Sequence, residues 1–170
     1  SDQWYSGFDF RQEKYKIVSQ CEQGIKITSA EFVNEILIKG DRELIDTLYQ
    51  MFDQPKVIVC FMHFDSGDTF GFRYIEDGIT KRYRYKWSGM QTVEDGTTLP
   101  EELKVLNAQL FYEGDIEDEF LCYRLENGTG STDAYHFISS ALASEVTKAR
   151  IGFDFKDDTV VCKSTYYQYE

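Results

Sequence analysis

Residues 56–87 read KVIVCFMHFDSGDTFGFRYIEDGITKRYRYKW, and this stretch decides the fold. Its first part, Lys56–Phe64, is almost continuously apolar and ends at turn residues, which predicts a buried central strand. Two further strand patterns, Thr69–Ile75 and Ile79–Trp87, flank Glu76-Asp77-Gly78. An Asp-Gly pair between strand patterns is a strong signal for a β-hairpin. The stretch therefore predicts consecutive antiparallel strands.

Helical patterns lie on both sides of this stretch in the sequence. Thr28-Ser29-Ala30-Glu31 has the spacing of a capping box, and the helix that follows it is expected to end at Gly40. Asp41 is placed to cap a second helix, and Pro100 lies in the first turn of a third. A fourth helix is expected to run to about Val146.

The last part of the chain is predicted to return to strands, as a hairpin that begins with Ile151–Phe155. With 170 residues and 16% aromatic side chains, the chain has the length of one domain and a composition that suits sheets. We expect a single α+β domain over residues 1–170. It should contain a mostly antiparallel sheet, with helices packed on one face.

Sequence signatures of catalysis or cofactor binding are absent from the chain. There is no phosphate-binding G-x-x-x-x-G-K-[ST], no dinucleotide-binding G-x-G-x-x-G after a strand and no G-x-S-x-G elbow. The longest apolar run, Val57–Met62, is far too short to cross a membrane. We therefore expect no cofactor, no membrane association and no enzymatic activity.

Cysteines are few and far apart in the sequence. No two of them form a C-x-x-C pair, the close spacing that a structural zinc site needs; they are Cys21, Cys60, Cys122 and Cys162. Free cysteines in apolar strands behave as small hydrophobic residues. We expect reduced core thiols, no metal site and a cytoplasmic location.

The two histidines are the remaining candidates for chemistry. His63 lies near Asp65 in the sequence, so that it could act as a general base or metal ligand, but no third ligand is apparent. His136 lies three residues after Asp133 in a predicted helix, where a local ion pair explains it. A small-ligand binder or enzyme that uses His63 stays open as an alternative.

Negative charge is concentrated in one part of the chain. Residues 91–119 hold nine acidic residues and one basic residue, Lys104, so that they carry −8 of the total −12. The densest part spans residues 113–119; its acids are Glu113, Asp115, Glu117, Asp118 and Glu119. A solvated loop, a docking surface for a basic protein and a divalent-metal site are the three interpretations. We take these five residues as the candidate partner-binding surface.

A basic segment precedes the acidic one. In the strand Lys81–Trp87, Arg82 and Arg84 share one face and Tyr83 and Tyr85 the other, which predicts basic side chains towards solvent and aromatic ones towards the core. Because residues 72–86 carry only +3 in a chain of −12, a nucleic-acid partner is not expected.

One longer pattern resembles a known family. It consists of Gly71-Phe72-Arg73-Tyr74, Asp77-Gly78 and Arg82, followed by Glu94-Asp95-Gly96 and Leu99-Pro100-Glu101-Glu102. This pattern is similar to one in small bacterial proteins that resemble the immunity proteins of toxin–immunity systems. The resemblance implies a bacterial protein that binds and neutralises a toxin effector, and it assigns no toxin-binding residue.

Together, the charge and the resemblance predict an acidic inhibitor of a basic protein partner. An immunity protein that neutralises a bacterial toxin effector is the first hypothesis. A phage-type inhibitor of a host nucleic-acid enzyme would use the same acidic surface, since carboxylates can stand in for substrate phosphates. Neither hypothesis defines an oligomeric state.

Overall fold

Four antiparallel strands form the central sheet of the protein. The structure, a computed structural model, describes residues 15–21, 24–64, 69–86, 89–113, 120–124, 130–131, 134–152, 154 and 163–168. The central sheet has the order β3-β4-β5-β6. Its strands are β3 (Val57–Phe64), β4 (Thr69–Glu76), β5 (Ile79–Lys86) and β6 (Val93–Gly96). β6 lies at the edge, and all four of its residues are exposed.

The predicted hairpin between β4 and β5 is confirmed. Asp77 and Gly78 both have positive φ, 49° and 72°, the combination that a two-residue type I′ turn requires. The Gly78 carbonyl accepts a hydrogen bond from Arg42 Nη1 at 2.7 Å. The turn sets the pairing of Glu76 with Ile79 and of Ile75 with Thr80, and a bulge then shifts the register by one residue, so that Tyr74 is paired with Arg82.

Two smaller sheets accompany the central one. The first has the order β10-β1-β2, with β1 (Tyr15–Cys21), β2 (Gly24–Thr28) and β10 (Lys163–Gln168). The second has the order β7-β8-β9, with β7 (Gln109–Glu113), β8 (Phe120–Arg124) and β9 (Gly130–Ser131). Every strand pair in the described ranges is antiparallel, which confirms the α+β class with a mostly antiparallel sheet.

The first two helical segments begin and end close to the predicted residues. Helix α1 (Ala30–Val33) is capped by Ser29, one residue later than the capping box at Thr28 predicts, and Ser29 accepts from the Phe32 amide. A π-helix (Asn34–Lys39) continues it and ends at Gly40, whose φ is 66°. Asp41 caps α2 (Arg42–Met51) as expected.

Helices α3 (Pro100–Leu106) and α4 (Ala134–Ile151) complete the described elements. α3 begins at the predicted Pro100. α4 extends beyond Val146 to Ile151, so the strand predicted from Ile151 does not begin there. Beyond Val146, Thr147 is buried and Arg150 is paired with Glu101 of α3, which favours continuation of the helix until Gly152, whose φ is 81°. Among the described helices, none is long and apolar enough to cross a membrane.

Helices cover both faces of the central sheet, whereas the sequence predicted helices on one face. Phe72 and Tyr74 belong to a core cluster with Leu142 and Val146 of α4. Ile75, on the opposite face, packs in a second cluster; its buried members there are Ile36, Ile45 and Leu48. β3, predicted to be a central strand, lies instead at the other end of the strand order. Its apolar run is explained by packing on both faces, because Val59 and Phe61 pack against the first cluster and Ile58 and Cys60 against the second.

Candidate functional site

Three of the first four acids of residues 91–119 are paired with arginines of the same chain. The structure describes the side chains of Glu94, Asp95, Glu101 and Glu102. Of these, Glu94, Glu101 and Glu102 each accept hydrogen bonds from an arginine, and Asp95 is exposed. The geometry of these pairs therefore determines how much of the acidic region is available to a partner.

Arg82 and Glu102 form a fully buried ion pair between β5 and α3. Their side chains are 3% and 0% exposed. Arg82 Nε and Nη2 each lie 3.0 Å from a Glu102 carboxylate oxygen, a two-pronged geometry that strengthens an arginine–carboxylate pair. Burial alone would lower the pKa of Arg82, but its hydrogen bonds to Glu102 and Glu94 raise it above the ordinary value.

The position of Arg82 corrects the expectation that its strand face is solvent-exposed. The β4–β5 register pairs Arg82 with Tyr74, and cross-strand partners point to the same face of a sheet. Because Tyr74 lies in the core cluster that includes Val105 of α3, Arg82 also points towards that helix. Arg84, two residues further along, is 19% exposed.

Glu94 joins Arg82 and Arg84 from the edge strand β6. Its Oε2 atom lies 2.5 Å from Arg82 Nη2 and 2.8 Å from Arg84 Nη1. Burial opposes ionisation of Glu94, but the hydrogen bonds and positive charges of the two arginines hold its pKa below the ordinary value. The carboxylate is therefore balanced by two cations and adds little to a surface that attracts a basic protein.

Glu101 binds a different arginine, Arg150 of α4. Both Arg150 Nε and Nη2 donate to the Glu101 carboxylate, the second over 3.1 Å. The Arg150 guanidinium also lies 4.9 Å from the centre of the Tyr74 ring, within the range of a cation–π interaction. The hydrogen bond to Glu101 raises the pKa of Arg150. Adjacent acids of α3 thus bind two different elements.

Glu102 has one further partner. Its Oε2 atom accepts from the Leu99 amide at 2.7 Å, at the start of α3. A carboxylate here satisfies a backbone donor that the helix leaves unpaired, and it interacts favourably with the helix dipole. The same side chain therefore begins the helix and fastens it to β5.

The five candidate contact residues lie in and after β7. Glu113 is the last residue of β7 and is paired with Phe120, the first residue of β8. Asp115, Glu117, Asp118 and Glu119 lie outside the described residues. The structure thus shows that Glu113 ends a strand of an antiparallel pair, and the surface assignment of all five residues remains a prediction.

The histidine alternatives are located only through their backbone. His63 is in β3, paired with Phe70, and His136 is in α4; Asp65 and Asp133 lie outside the described ranges. In the part of the chain that the structure describes, no group of three or more His, Cys, Asp or Glu side chains is arranged to hold a metal ion.

For two of the cysteines, the structure describes the backbone position alone. Cys21 is in β1 and Cys122 is in β8, while Cys162 lies outside the described ranges. Cys60 is a free thiol in β3, and burial raises its pKa to about 12. Such a thiol carries almost no thiolate at neutral pH and is a poor nucleophile or metal ligand.

No family model, no curated protein and no solved structure matches this chain.

A buried arginine on the other face of the sheet was missed by the sequence reasoning. Arg73 of β4 is 7% exposed, and its Nε and Nη2 atoms donate to the Leu37 carbonyl in the π-helix. Its guanidinium lies 4.3 Å from the centre of the Tyr83 ring. Burial lowers the pKa of Arg73, and in the described ranges no carboxylate forms an ion pair with it. The position of Arg73 among the apolar residues of a predicted strand was the sequence signal that could have indicated its burial.

Proposed function

We propose that this protein binds a basic protein partner and inhibits it through the acidic residues that begin at the end of β7. These residues are Glu113, Asp115, Glu117, Asp118 and Glu119. The observation that supports the proposal is that Glu94, Glu101 and Glu102 already form ion pairs with arginines of the same chain. With those three neutralised by arginines, the remaining negative charge of residues 91–119 is concentrated in residues 113–119, which contain no basic residue.

The placement of Glu113 fits such a surface. A two-strand antiparallel pair ends at Glu113 and Phe120, so the acidic residues connect the two strands. Connections between strands are frequent binding sites because they are displayed by a rigid scaffold. Like charges gathered there would speed the encounter with a basic protein and disfavour acidic partners.

An immunity protein of a bacterial toxin–immunity system is the form of this function that we propose, in the cytoplasm of the producing cell. The residues that carry the resemblance include Arg73, Arg82 and Glu102, and all three are buried. Because these residues are buried, they stabilise the fold and are not placed to form a contact surface. The proposed toxin contact therefore rests on the acidic residues, and the resemblance supports the class of partner.

The basic segment of β5 supports a protein partner over nucleic acid. Phosphate binding requires lysine and arginine side chains that are free to reach a backbone of negative charges. Arg82 is buried against Glu102, and Arg84 is paired with Glu94. Two of the five positive charges in residues 72–86 are thus already bound by carboxylates.

Affinity capture with charge-reversed variants tests the proposal. The test variant replaces Asp115, Glu117 and Glu119 by lysine. The control variant makes the same charge change at exposed residues of the first two helices, namely Glu31, Glu43 and Asp46. Bound proteins are identified by mass spectrometry, and each affinity is then measured at low and at high salt.

The proposal expects the test variant to lose about tenfold or more in affinity at low salt, which is about 1.4 kcal/mol, with a smaller loss at high salt. The control variant should retain most of its affinity. Equal affinities of the test variant and the unmodified protein at low salt would reject the surface assignment. A toxin as the captured protein supports the immunity role, whereas a host nucleic-acid enzyme supports the phage-type inhibitor.

A further inference from the structure

We infer that Glu101 and Glu102 are positioning residues that hold the β7–β8 strand pair in place, and that they do not touch the partner. The consequence for partner binding rests on the proposed function, but the mechanical role does not. We name Glu101, Glu102, Arg82 and Arg150 the α3 clamp. It acts by fastening α3, which leads directly into β7, to two other parts of the fold.

The first step is the divergence of two adjacent side chains. Consecutive residues of an α-helix project about 100° apart around its axis. Glu102 accordingly reaches Arg82 of β5, whereas Glu101 reaches Arg150 of α4. Two attachments in different directions restrain the rotation of α3 as well as its translation, which a single ion pair would not do.

The second step is the small apolar contribution of α3. The helix has seven residues, which is too short to be stable by itself. Val105 is buried, but Leu103 and Leu106 are 45% and 41% exposed. Because so little of its apolar surface packs against the core, the position of α3 depends strongly on the clamp.

The third step links α3 to the strand pair. Only Asn107 and Ala108 separate α3 from β7, and Ala108 donates its amide to the Val105 carbonyl. Ala108 also packs against the core cluster that contains Phe72. Any shift of α3 therefore moves the start of β7. β8, the partner strand, contacts α4, so the Glu101–Arg150 pair joins the two supports of the strand pair.

Hydrogen exchange measured by mass spectrometry on the full chain tests this inference. Glu101→Gln removes the charge that binds Arg150 and leaves the Arg82–Glu102 pair intact. Arg150→Lys keeps the positive charge but loses the two-pronged geometry. The matched control is Asp46→Asn, which breaks the exposed Arg42–Asp46 ion pair on α2.

In Glu101→Gln, the amides of residues 109–113 and 120–124 should exchange about tenfold faster, while those of residues 70–75 in β4 change less than about twofold. Arg150→Lys should give a smaller acceleration at the same amides, and Asp46→Asn none. Equal acceleration in β4 and β7, or no acceleration in β7, would overturn the inference. Should Glu101→Gln fail to fold, Arg150→Lys supplies the same comparison.

The outcome separates this inference from the proposed function. Faster exchange in β7 and β8, together with unchanged capture by the lysine variants of residues 115, 117 and 119, would support the clamp and reject the acidic contact surface. Unchanged exchange in β7 and β8, together with loss of capture by the lysine variant, would reject the clamp and support the acidic contact surface.

Discussion

The guanidinium of Arg73 donates to the backbone carbonyl of Leu37, with Nη2 and the oxygen 3.1 Å apart, in the buried layer between the central sheet and the π-helix. The last carbonyls of a helix have no partner within it and form the negative end of its dipole. The buried guanidinium of Arg73 supplies a hydrogen-bond donor to this carbonyl, and the negative end of the helix dipole stabilises its charge in place of a carboxylate. Gly40 fits this arrangement, because a Cβ there would lie 3.0 Å from Arg73 Nη2.

Replacement of Arg73 by lysine should therefore be poorly tolerated. Lysine keeps the charge but cannot stack flat on Tyr83, and its single nitrogen cannot donate from the two positions that reach Leu37. We expect Arg73→Lys to lower the free energy of unfolding by about 1–3 kcal/mol. Urea denaturation measures this loss, and Lys39→Arg, at the exposed ion pair with Glu35, serves as the control with little change. A loss for Arg73→Lys no greater than for the control would contradict this role.

The Arg82–Glu102 pair should show strong energetic coupling. Removal of one partner leaves a charge buried without its main counter-charge, and the expected cost is about 3–5 kcal/mol for either Arg82→Met or Glu102→Met. The double variant removes both charges, so its loss should be smaller than the sum of the two by about 2 kcal/mol. Denaturant unfolding of the four proteins provides the complete cycle. Simple additivity of the two losses would show that the two side chains act independently.

Stability should fall at acid pH partly through Glu94. Its folded-state pKa is held below the ordinary value of 4.5, so Glu94 contributes stability above pH 4.5 and loses it as the pH falls through the lower folded-state value. Glu94→Gln removes this dependence. The free energy of unfolding, measured from pH 6 to pH 3, should decline less steeply in Glu94→Gln than in the unmodified protein. Parallel curves for the two proteins would refute the contribution of Glu94.

The Cys60 thiol should resist alkylation in the folded protein. Burial raises its pKa to about 12, and the thiolate is the reactive form. Iodoacetamide at pH 8 should label Cys60 slowly under native conditions and rapidly in urea, as followed by peptide mass spectrometry. Native labelling at the rate found in urea would mean that this thiol is accessible. The same shift implies a loss of stability above pH 9, where the unfolded thiol ionises and the folded one does not.

Features set by neighbouring residues were predictable from the sequence. The Asp77-Gly78 turn, the Asp41 cap and the stop at Gly40 each depend on a few adjacent residues with strong conformational preferences. The prediction of a capping box was off by one residue, because Thr28 and Ser29 both carry a hydroxyl and only tertiary packing decides between them. These local features suffice to define the order of elements from α1 to β5.

The candidate site depends on information that the sequence does not carry. Alternation in β5 shows that Arg82 and Arg84 share a face, but not that this face lies against α3. Counting the acidic residues of the sequence likewise gives Glu101 and Glu117 the same weight in the negative charge, although Glu101 is bound to Arg150. Such pairs join residues 20 to 49 positions apart, and only the folded chain brings them together.

The edge strand β6 has a consequence for the behaviour of the protein in concentrated solution. An open strand edge presents unpaired amides and carbonyls, which invite another chain to extend the sheet and start a fibril. β6 has only four residues, and Glu94 and Asp95 occupy two of them. Because Glu94 is already paired with two arginines, Asp95 supplies the exposed charge, and antiparallel addition of a second copy would bring two such carboxylates close together across a strand spacing of about 4.8 Å. The composition of this strand thus discourages self-aggregation along the edge, in addition to whatever the acidic residues contribute to recognition.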